Sequence, residues 1–211
     1  LYLRSDFASY QNDFYIAYDN IAYMNSWETG YTWVRVRKFD KQGNLIQEFW
    51  RENCGHLVRM QFKEDRLYLL TEDYTFQLDS DLNLIKEVKL PEKVTENFHI
   101  TITDCRYDIT ADLTKVLYTE RDEMDREVCA KVIDLESNEE LISLPALRGY
   151  RFTPSESKII ISDGVYSMEG KRVDDNSLDL SGVNWFRGRC YNDYLILSTR
   201  EHTAEARPVV T

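Results

Sequence analysis

Short alternating apolar runs, separated by polar clusters, recur along the chain. Residues 57–90 show the pattern most clearly, with the clusters KED, TED and DSDLN between the runs. In the first run Val58, Met60 and Phe62 alternate with polar residues, which is the period of two typical of a half-buried strand. Because no run is long enough for a globular helix, the stretch predicts a meander of four antiparallel strands. The runs are 57–62, 67–70, 74–78 and 84–90.

The same arrangement predicts four more repeats. The first repeat starts with DFYIAY, a turn at Asp19-Asn20 and IAYMN, after a separate short strand over residues 1–7. The second strands of the later repeats are predicted at 67–70, 116–119, 158–162 and 194–198. Equivalent positions in successive second strands lie 46, 48, 43 and 36 residues apart, and we place them at Tyr23, Leu69, Leu117, Ile160 and Ile196.

A second marker is the polar turn between the third and fourth strands, FDKQGN, LDSDLN, IDLESN and YSMEGK. Four strands in about 40 residues, with one turn recurring, resemble the blades of β-propeller repeat proteins. The resemblance implies an all-β fold: one domain over residues 1–211 with about five four-stranded antiparallel blades, or a five-blade part of a larger propeller. A β-sandwich is the alternative. No WD dipeptide or kelch double glycine specifies a family.

The ends of the chain bear on ring closure. The fifth repeat lacks a fourth strand, and residues 1–7 could supply it, which would remove the exposed edges. Pro208 opposes this pairing, because proline favours an unpaired edge. Since the first residue is Leu1, we expect a chain processed or excised from a longer protein.

Composition limits the partners. With 211 residues and 43% hydrophobic content the chain can bury a core, and its formal charge of −11 disfavours nucleic acid and anionic membrane surfaces. No apolar run is long enough for membrane insertion. The cysteines form no Cys-x-x-Cys pair, so free thiols are expected, with a Cys54–Cys105 disulfide as the alternative. The cysteines do not decide in which compartment the protein resides, and we expect an extracytoplasmic location.

Connections of a meander alternate between two sides of each blade. The turn face carries the connections between strands one and two and between strands three and four, which are short. The loop face carries the remaining connections, which are longer and irregular, as in SWETGYT, PEKVTENFHITITD and SGVNWFRG. Because binding residues are commonly drawn from loops on a rigid scaffold, we predict the site on the loop face.

The residues predicted to bind a ligand or partner are aromatic or basic side chains of the loop face, the usual anchors of interfaces. Packing of Trp50 and Trp185 between blades is an equal alternative. Arginines 148, 151, 187 and 189, near the expected channel, could hold an acidic group, although pairing with neighbouring carboxylates is favoured. The predicted site residues are Trp27, Tyr31, Arg51, His56, Arg148, Trp185 and Arg187.

No catalytic or cofactor motif is recognisable, and neither a metal nor a cofactor is predicted. The three histidines, His56, His99 and His202, fall in different repeats, and the acidic tip at residues 120–127 lacks the glycine of a calcium loop. We therefore predict a non-catalytic interaction module that presents its loop face to a protein or a small acidic ligand. The alternative is a propeller hydrolase or lyase, lactonase-like, with a site at the channel mouth and a cation held by groups such as Asp104, His56 or His99.

Overall fold

The computed structural model describes residues 5–20, 31–96, 107–121, 127–145, 150–153, 155–161, 164–173, 183–191 and 194–199, the last two ranges through their backbone. The chain divides into two compact units, Leu1–Leu90 and Pro91–Thr211. The single domain over residues 1–211 remains a prediction.

The first unit contains two four-stranded antiparallel sheets in which chain neighbours are also sheet neighbours. Blade 1 consists of β1 (Ser5–Tyr10), β2 (Asp13–Asp19), β3 (Trp33–Phe39) and β4 (Leu45–Glu52). Blade 2 consists of β5 (Leu57–Lys63), β6 (Arg66–Thr71), β7 (Tyr74–Leu78) and β8 (Leu84–Lys89).

The second unit begins with the four-residue helix α1 (Glu92–Thr95). Blade 3 follows, with β9 (Tyr107–Ile109), β10 (Lys115–Arg121), β11 (Glu127–Asp134) and β12 (Glu140–Pro145). Blade 4 has β13 (Tyr150–Phe152), β14 (Lys158–Ile161) and β15 (Gly164–Ser167), and an isolated bridge joins Tyr166 to Arg172. The last described sheet is the pair β16 (Val183–Tyr191) and β17 (Tyr194–Thr199).

The fold class is all-β, of the β-propeller type, as predicted: consecutive up-and-down meanders with short connections. The second strands predicted for repeats two to five are confirmed as β6, β10, β14 and β17. Within the described ranges the helix α1 has barely one turn and lies outside residues 57–90. The number of blades remains a prediction.

The first blade starts earlier than the apolar pattern predicts. Ser5 pairs with Tyr18, so β1 and β2 form the first hairpin and its turn is Gln11-Asn12 instead of Asp19-Asn20. DFYIAY is thus the second strand, and Tyr23, the proposed marker, lies outside the described residues. The strand predicted over residues 1–7 overlaps β1, but its extension to Tyr10 and its pairing with β2 were missed because SDFASY alternates polar and apolar residues only weakly.

The predicted closure of the fifth repeat by residues 1–7 is also wrong for its described part. Residues 5–7 hydrogen-bond with β2 as the first strand of blade 1 and are not a spare strand.

The turn between the third and fourth strands confirms the repeat. In blade 1 Asp40 Oδ1 accepts the backbone N–H groups of Gln42 and Asn44, at 2.9 and 2.8 Å, and Oδ2 accepts the Asn44 side-chain amide at 2.9 Å. In blade 2 the Asp79 carboxylate accepts the same three hydrogen bonds, from the backbone N–H of Asp81 and from the backbone N–H and side-chain amide of Asn83. Such local side-chain bonds fix a turn without tertiary contacts, which is why it could be recognised in the sequence.

Blades 1 and 2 pack face to face around one core, and blades 3 and 4 around another. The first core consists of Tyr15, Ala17, Val34, Val36, Cys54, Leu57, Met60, Leu67, Leu69, Phe76, Leu78 and Leu82. The second consists of Leu117, Ala130, Val132, Ile142, Leu144, Phe152, Ile159, Ile161 and Tyr166.

Most of the predicted core is confirmed. The buried members are Met60, Leu69, Phe76 and Leu117. Phe62 is partly buried, with its ring stacked on Tyr10 at 4.8 Å between centroids. The prediction for Ile160 is wrong: it is half-buried, because its neighbours Ile159 and Ile161 take the face of β14 that packs on blade 3. The side chain of Ile196 lies outside the described residues.

Carboxylates of one blade also bind backbone amides of the next. Asp6 Oδ2 of β1 accepts the Met60 N–H of β5 at 2.8 Å, and Asp19 Oδ2 accepts the Leu57 N–H at 2.8 Å. In the second unit Asp108 Oδ2 of β9 accepts the Phe152 N–H of β13 at 3.0 Å. Asp6 lies opposite Ala17 in the β1–β2 hairpin, and Asp108 lies opposite Leu117 in the β9–β10 hairpin. Both carboxylates thus come from the first strand of a blade and bind the first strand of the next blade.

Neighbouring isoleucines of β14 test the orientation of the strand faces. Ile161→Ala should lower the free energy of unfolding by about 2–5 kcal/mol, because it removes a fully buried side chain and leaves a cavity. Ile160→Ala, the matched control, should cost about 1–2 kcal/mol because its side chain is half-exposed. Urea unfolding measures both, and a larger loss for Ile160→Ala would invert the assigned faces.

The Asp40 turn predicts an acid-dependent contribution to stability. Hydrogen bonds from the side chain and backbone of Asn44 lower the pKa of the Asp40 carboxyl. The contribution is therefore complete above about pH 4 and is lost as the pH falls through the lowered folded-state pKa. Asp40→Ala should unfold more easily at neutral pH and lose less further stability on acidification than the unmodified chain. Equal acid dependence in urea unfolding would contradict this role.

Candidate functional site

The connection between blades 1 and 2, residues 53–56, forms the loop-face end of their contact. The Asn53 N–H donates to Thr32 O at 2.7 Å, and the Gly55 N–H donates to Thr32 Oγ1 at 3.0 Å. On the blade 2 side, the Asp73 N–H donates to Cys54 O at 3.2 Å. The connection is thus bonded to the loop before β3 and to the turn between β6 and β7.

Gly55 is required for this close approach. Its φ of +76° lies in the left-handed region, and a Cβ there would come within 2.7 Å of Glu72 Cβ and 3.0 Å of Asp73 N. Glycine adopts this φ without steric cost and leaves room for the turn. Gly43, with φ +85°, has no heavy atom within 4 Å of an added Cβ.

His56 lies beneath the surface in an acidic environment. It is 6% exposed, and its Nδ1 is 3.4 Å from Asp19 Oδ2. Its backbone N–H donates to Glu72 Oε2 at 3.1 Å, and its carbonyl accepts the Glu72 N–H at 3.0 Å. Burial raises the pKa of the nearby Asp73 carboxyl and Glu72 raises it further, against the opposing charges of Lys89 and His56. His56 is therefore a buried part of the connection over residues 53–56, bonded to Glu72 of blade 2.

Cys54 is a free thiol, so the alternative of a Cys54–Cys105 disulfide is wrong. Burial raises the pKa of this thiol to about 12, and the nearby Asp73 raises it as well. Its Sγ lies 3.7 Å from Arg51 O and 3.6 Å from Gly55 O. A protonated, buried thiol acts here as a small apolar side chain.

A groove of about 500 Å³ opens beside this connection, between the outer strands of blades 1 and 2. Its buried residues are Phe76 and Cys54, and its other lining residues are charged, polar or aromatic. We call it the β4–β8 groove. It is lined by Trp50, Arg51, Glu52, Asn53, Cys54, Tyr74, Phe76 and Glu87.

Two predicted site residues, Tyr31 and Arg51, contact carboxylates that line this groove. The Tyr31 hydroxyl donates to Glu52 Oε1 at 2.5 Å, and this bond raises the pKa of the phenol. The Arg51 guanidinium forms an ion pair with Glu87 and lies 5.9 Å from the centre of the Phe76 ring. The positive charge of Arg51 is therefore compensated within the chain.

The Trp50 side chain is exposed to solvent and is not packed between blades. It is 49% exposed and holds the Arg35 guanidinium at 5.8 Å from its ring, with Trp33 on the same guanidinium at 5.6 Å. The buried alternative for Trp50 is therefore wrong, because Phe49 and not Trp50 takes the face of β4 that packs on the core.

The remaining predicted site residues are placed only in part. Trp185 and Arg187 belong to β16, whose side chains lie outside the described residues, and Trp27 and Arg148 lie outside them altogether. The same holds for Asp104, His99, His202 and most of the acidic tip. Among described residues no group of three or more His, Cys, Asp or Glu could hold a metal ion, and no helix there is long and apolar enough to cross a membrane.

Sequence reasoning missed the partners that shape the groove. Glu87 lies 36 residues from Arg51, so no local spacing indicated the ion pair. One signal was available: NLIQE and NLIKE place Glu48 and Glu87 at matching positions after the repeated turn, and Glu48 binds Arg37 at 2.7 Å. Gly55 and Glu52 carried no signal.

No protein-family model matches the chain, and no curated protein matches it in sequence. Among solved structures it is similar to the Neurospora crassa Pan2 WD40 domain, at 13% identity over 80% of this chain and 50% of that chain, with a TM-score of 0.42. It is also similar to Kuenenia stuttgartiensis hydrazine synthase, at 13% identity over 80% of this chain and 52% of that chain, with a TM-score of 0.41. The similarity to BamB from Moraxella catarrhalis has 9% identity over 85% of this chain and 72% of that chain, with a TM-score of 0.38. The chain spans about half the length of the first two.

Two glycines separate backbone strain from close packing. Gly43→Ala should cost about 1–2 kcal/mol of unfolding free energy, because only its left-handed φ is unfavourable for alanine. Gly55→Ala should cost clearly more, because the new methyl also collides with the turn of blade 2. Urea unfolding of both variants measures the difference. Equal costs would show that the turn moves freely away from Gly55.

Proposed function

We propose that the chain is a non-catalytic interaction module that binds a partner protein through its loop face. The observation that carries the proposal is the β4–β8 groove: Arg51, chosen from the sequence, and the exposed Trp50 line it, and Tyr31, also chosen from the sequence, hydrogen-bonds to the lining residue Glu52. Exposed aromatic and arginine side chains beside a concave surface are frequent anchors of protein interfaces.

The packing supports a preformed surface. The connection over residues 53–56 is bonded to both blades, and the Arg51–Glu87 ion pair joins the groove walls. Because these groups are already ordered, a partner loses little conformational entropy on the module's side when it binds. The turn face offers compact, self-bonded turns such as that of Asp40.

Tyr31, Arg51 and Trp50 are proposed to contact the partner directly. His56 is buried beside Asp19 and is proposed to support the connection over residues 53–56. Trp27, Arg148, Trp185 and Arg187, which were predicted from the sequence, are proposed as further contact residues. A small acidic ligand would have to compete with Glu87 for Arg51, so a protein partner is the stronger proposal.

Photo-crosslinking tests this assignment. Benzoylphenylalanine is introduced at Tyr31, and in a matched control at Glu64 of the turn face, and the crosslinked partner is identified from cell extract. Its affinity is then measured for Tyr31→Ala with Arg51→Ala, for Trp185→Ala with Arg187→Ala, and for Glu64→Ala with Asp65→Ala. We expect crosslinks from position 31 and at least a tenfold loss, about 1.4 kcal/mol, for a loop-face pair. Loss confined to the Glu64 and Asp65 variant would place the site on the opposite face.

A further inference from the structure

The edge of β4 that faces away from β3 runs along the β4–β8 groove. Trp50, Arg51 and Glu52 are consecutive, and all three line the groove. Successive strand residues point to opposite sheet faces, and indeed Trp50 contacts Arg35 of its own blade while Arg51 contacts Phe76 of blade 2. A groove lined by both must follow the strand's edge.

That edge has hydrogen-bonding capacity. In the sheet order β1-β2-β3-β4, the strand β4 is last, and in the described part of the chain its paired neighbour is β3. Antiparallel pairing uses the N–H and C=O groups of every second residue, so the alternate groups of β4 point outward. An extended peptide can bind such an edge as an added strand.

The charges of the groove select the kind of peptide. Its walls contain two carboxylates, Glu52 and Glu87, against the one guanidinium of Arg51, in a chain of net charge −11. Tyr31 binds Oε1 of Glu52, and Arg51 binds Oε2 of Glu87, so in the described contacts each carboxylate offers a second oxygen. These oxygens suit a lysine or arginine side chain.

We infer that the β4–β8 groove binds an extended basic segment of a partner protein, which adds to the edge of β4. Alternate side chains of the segment point in opposite directions: one set lies on the side of Trp50 and places a cation near Glu52, and the other lies on the side of Arg51, near Glu87 and Phe76. The inference rests on the proposed function, which it makes specific for a basic rather than an acidic partner.

Labelled peptides test the inference on the full chain. The probe is a fluorescein-labelled heptapeptide of alternating Val, Thr and Arg, with a twin carrying Glu in place of Arg, and fluorescence anisotropy at about 0.15 M salt measures binding. We expect the Arg peptide to bind and the Glu peptide not to bind. Glu52→Gln with Glu87→Gln should weaken binding of the Arg peptide about tenfold, the effect of losing charge-assisted hydrogen bonds.

A charge-matched control separates the groove from general attraction to an acidic protein. Glu64→Gln with Asp65→Asn removes the same two negative charges from the turn between β5 and β6 and should change affinity less than about twofold. A second probe is the Arg peptide with N-methyl groups on alternate backbone nitrogens, which should bind about tenfold more weakly when methylation removes the strand-pairing donors. This probe leaves the folded protein unaltered.

Several results would overturn the inference: no binding of the Arg peptide, tighter binding of the Glu peptide, equal losses for the two double variants, or no effect of N-methylation in either alternate register. If the crosslinked partner still depends on Tyr31 and Arg51, such a result removes the basic-strand inference and leaves the proposed function standing. Dependence of the partner on Glu64 and Asp65 alone removes both.

Discussion

Two hydrogen bonds between blades 1 and 2 determine the geometry on which the site depends. The Met60 and Leu57 N–H groups, on the first strand of blade 2, donate to the carboxylates of Asp6 and Asp19 in blade 1. Asp19 is fully buried, and a buried amide left without an acceptor costs about 1–3 kcal/mol. The apolar core between the blades supplies most of the stabilisation, while these directional bonds fix the register of β5 against β1 and β2. The Asp108–Phe152 bond repeats the device in the second unit.

This register positions the groove. Because the Leu57 N–H is bound to Asp19, the residues before it must turn sharply. Only a glycine fits at position 55, between Thr32 and the turn at Asp73. The outer strands then lie close enough for Arg51 to reach Glu87 and the Phe76 ring. The groove forms where two meanders meet, and neither blade contains it alone.

Local signals in the sequence were sufficient for the repeat but not for the site. Alternation and the self-bonded turns of Asp40 and Asp79 depend on neighbours in the chain, so they predicted β5 to β8 and the blade type. The full length of β1 and its pairing with β2 were not predicted because its inward residues include Asp6, whose carboxylate accepts a hydrogen bond from Met60, 54 residues away. Arg51 was chosen as a basic group, yet its charge is balanced by Glu87 on the next blade. Contacts between blades have no fixed spacing, which is why the sign of the groove's charge could not be predicted.

The central claim is that carboxylates of blade 1 hold the first strand of blade 2 and so preform the groove. Amide hydrogen exchange of Met60 and Leu57, followed by NMR, tests it most directly. In the unmodified chain both amides should exchange only through global unfolding, and in Asp6→Ala the Met60 amide should exchange far faster while Leu69, at the centre of the core, remains protected. Fast exchange of Met60 in the unmodified chain, or unaltered protection in Asp6→Ala, would contradict the account.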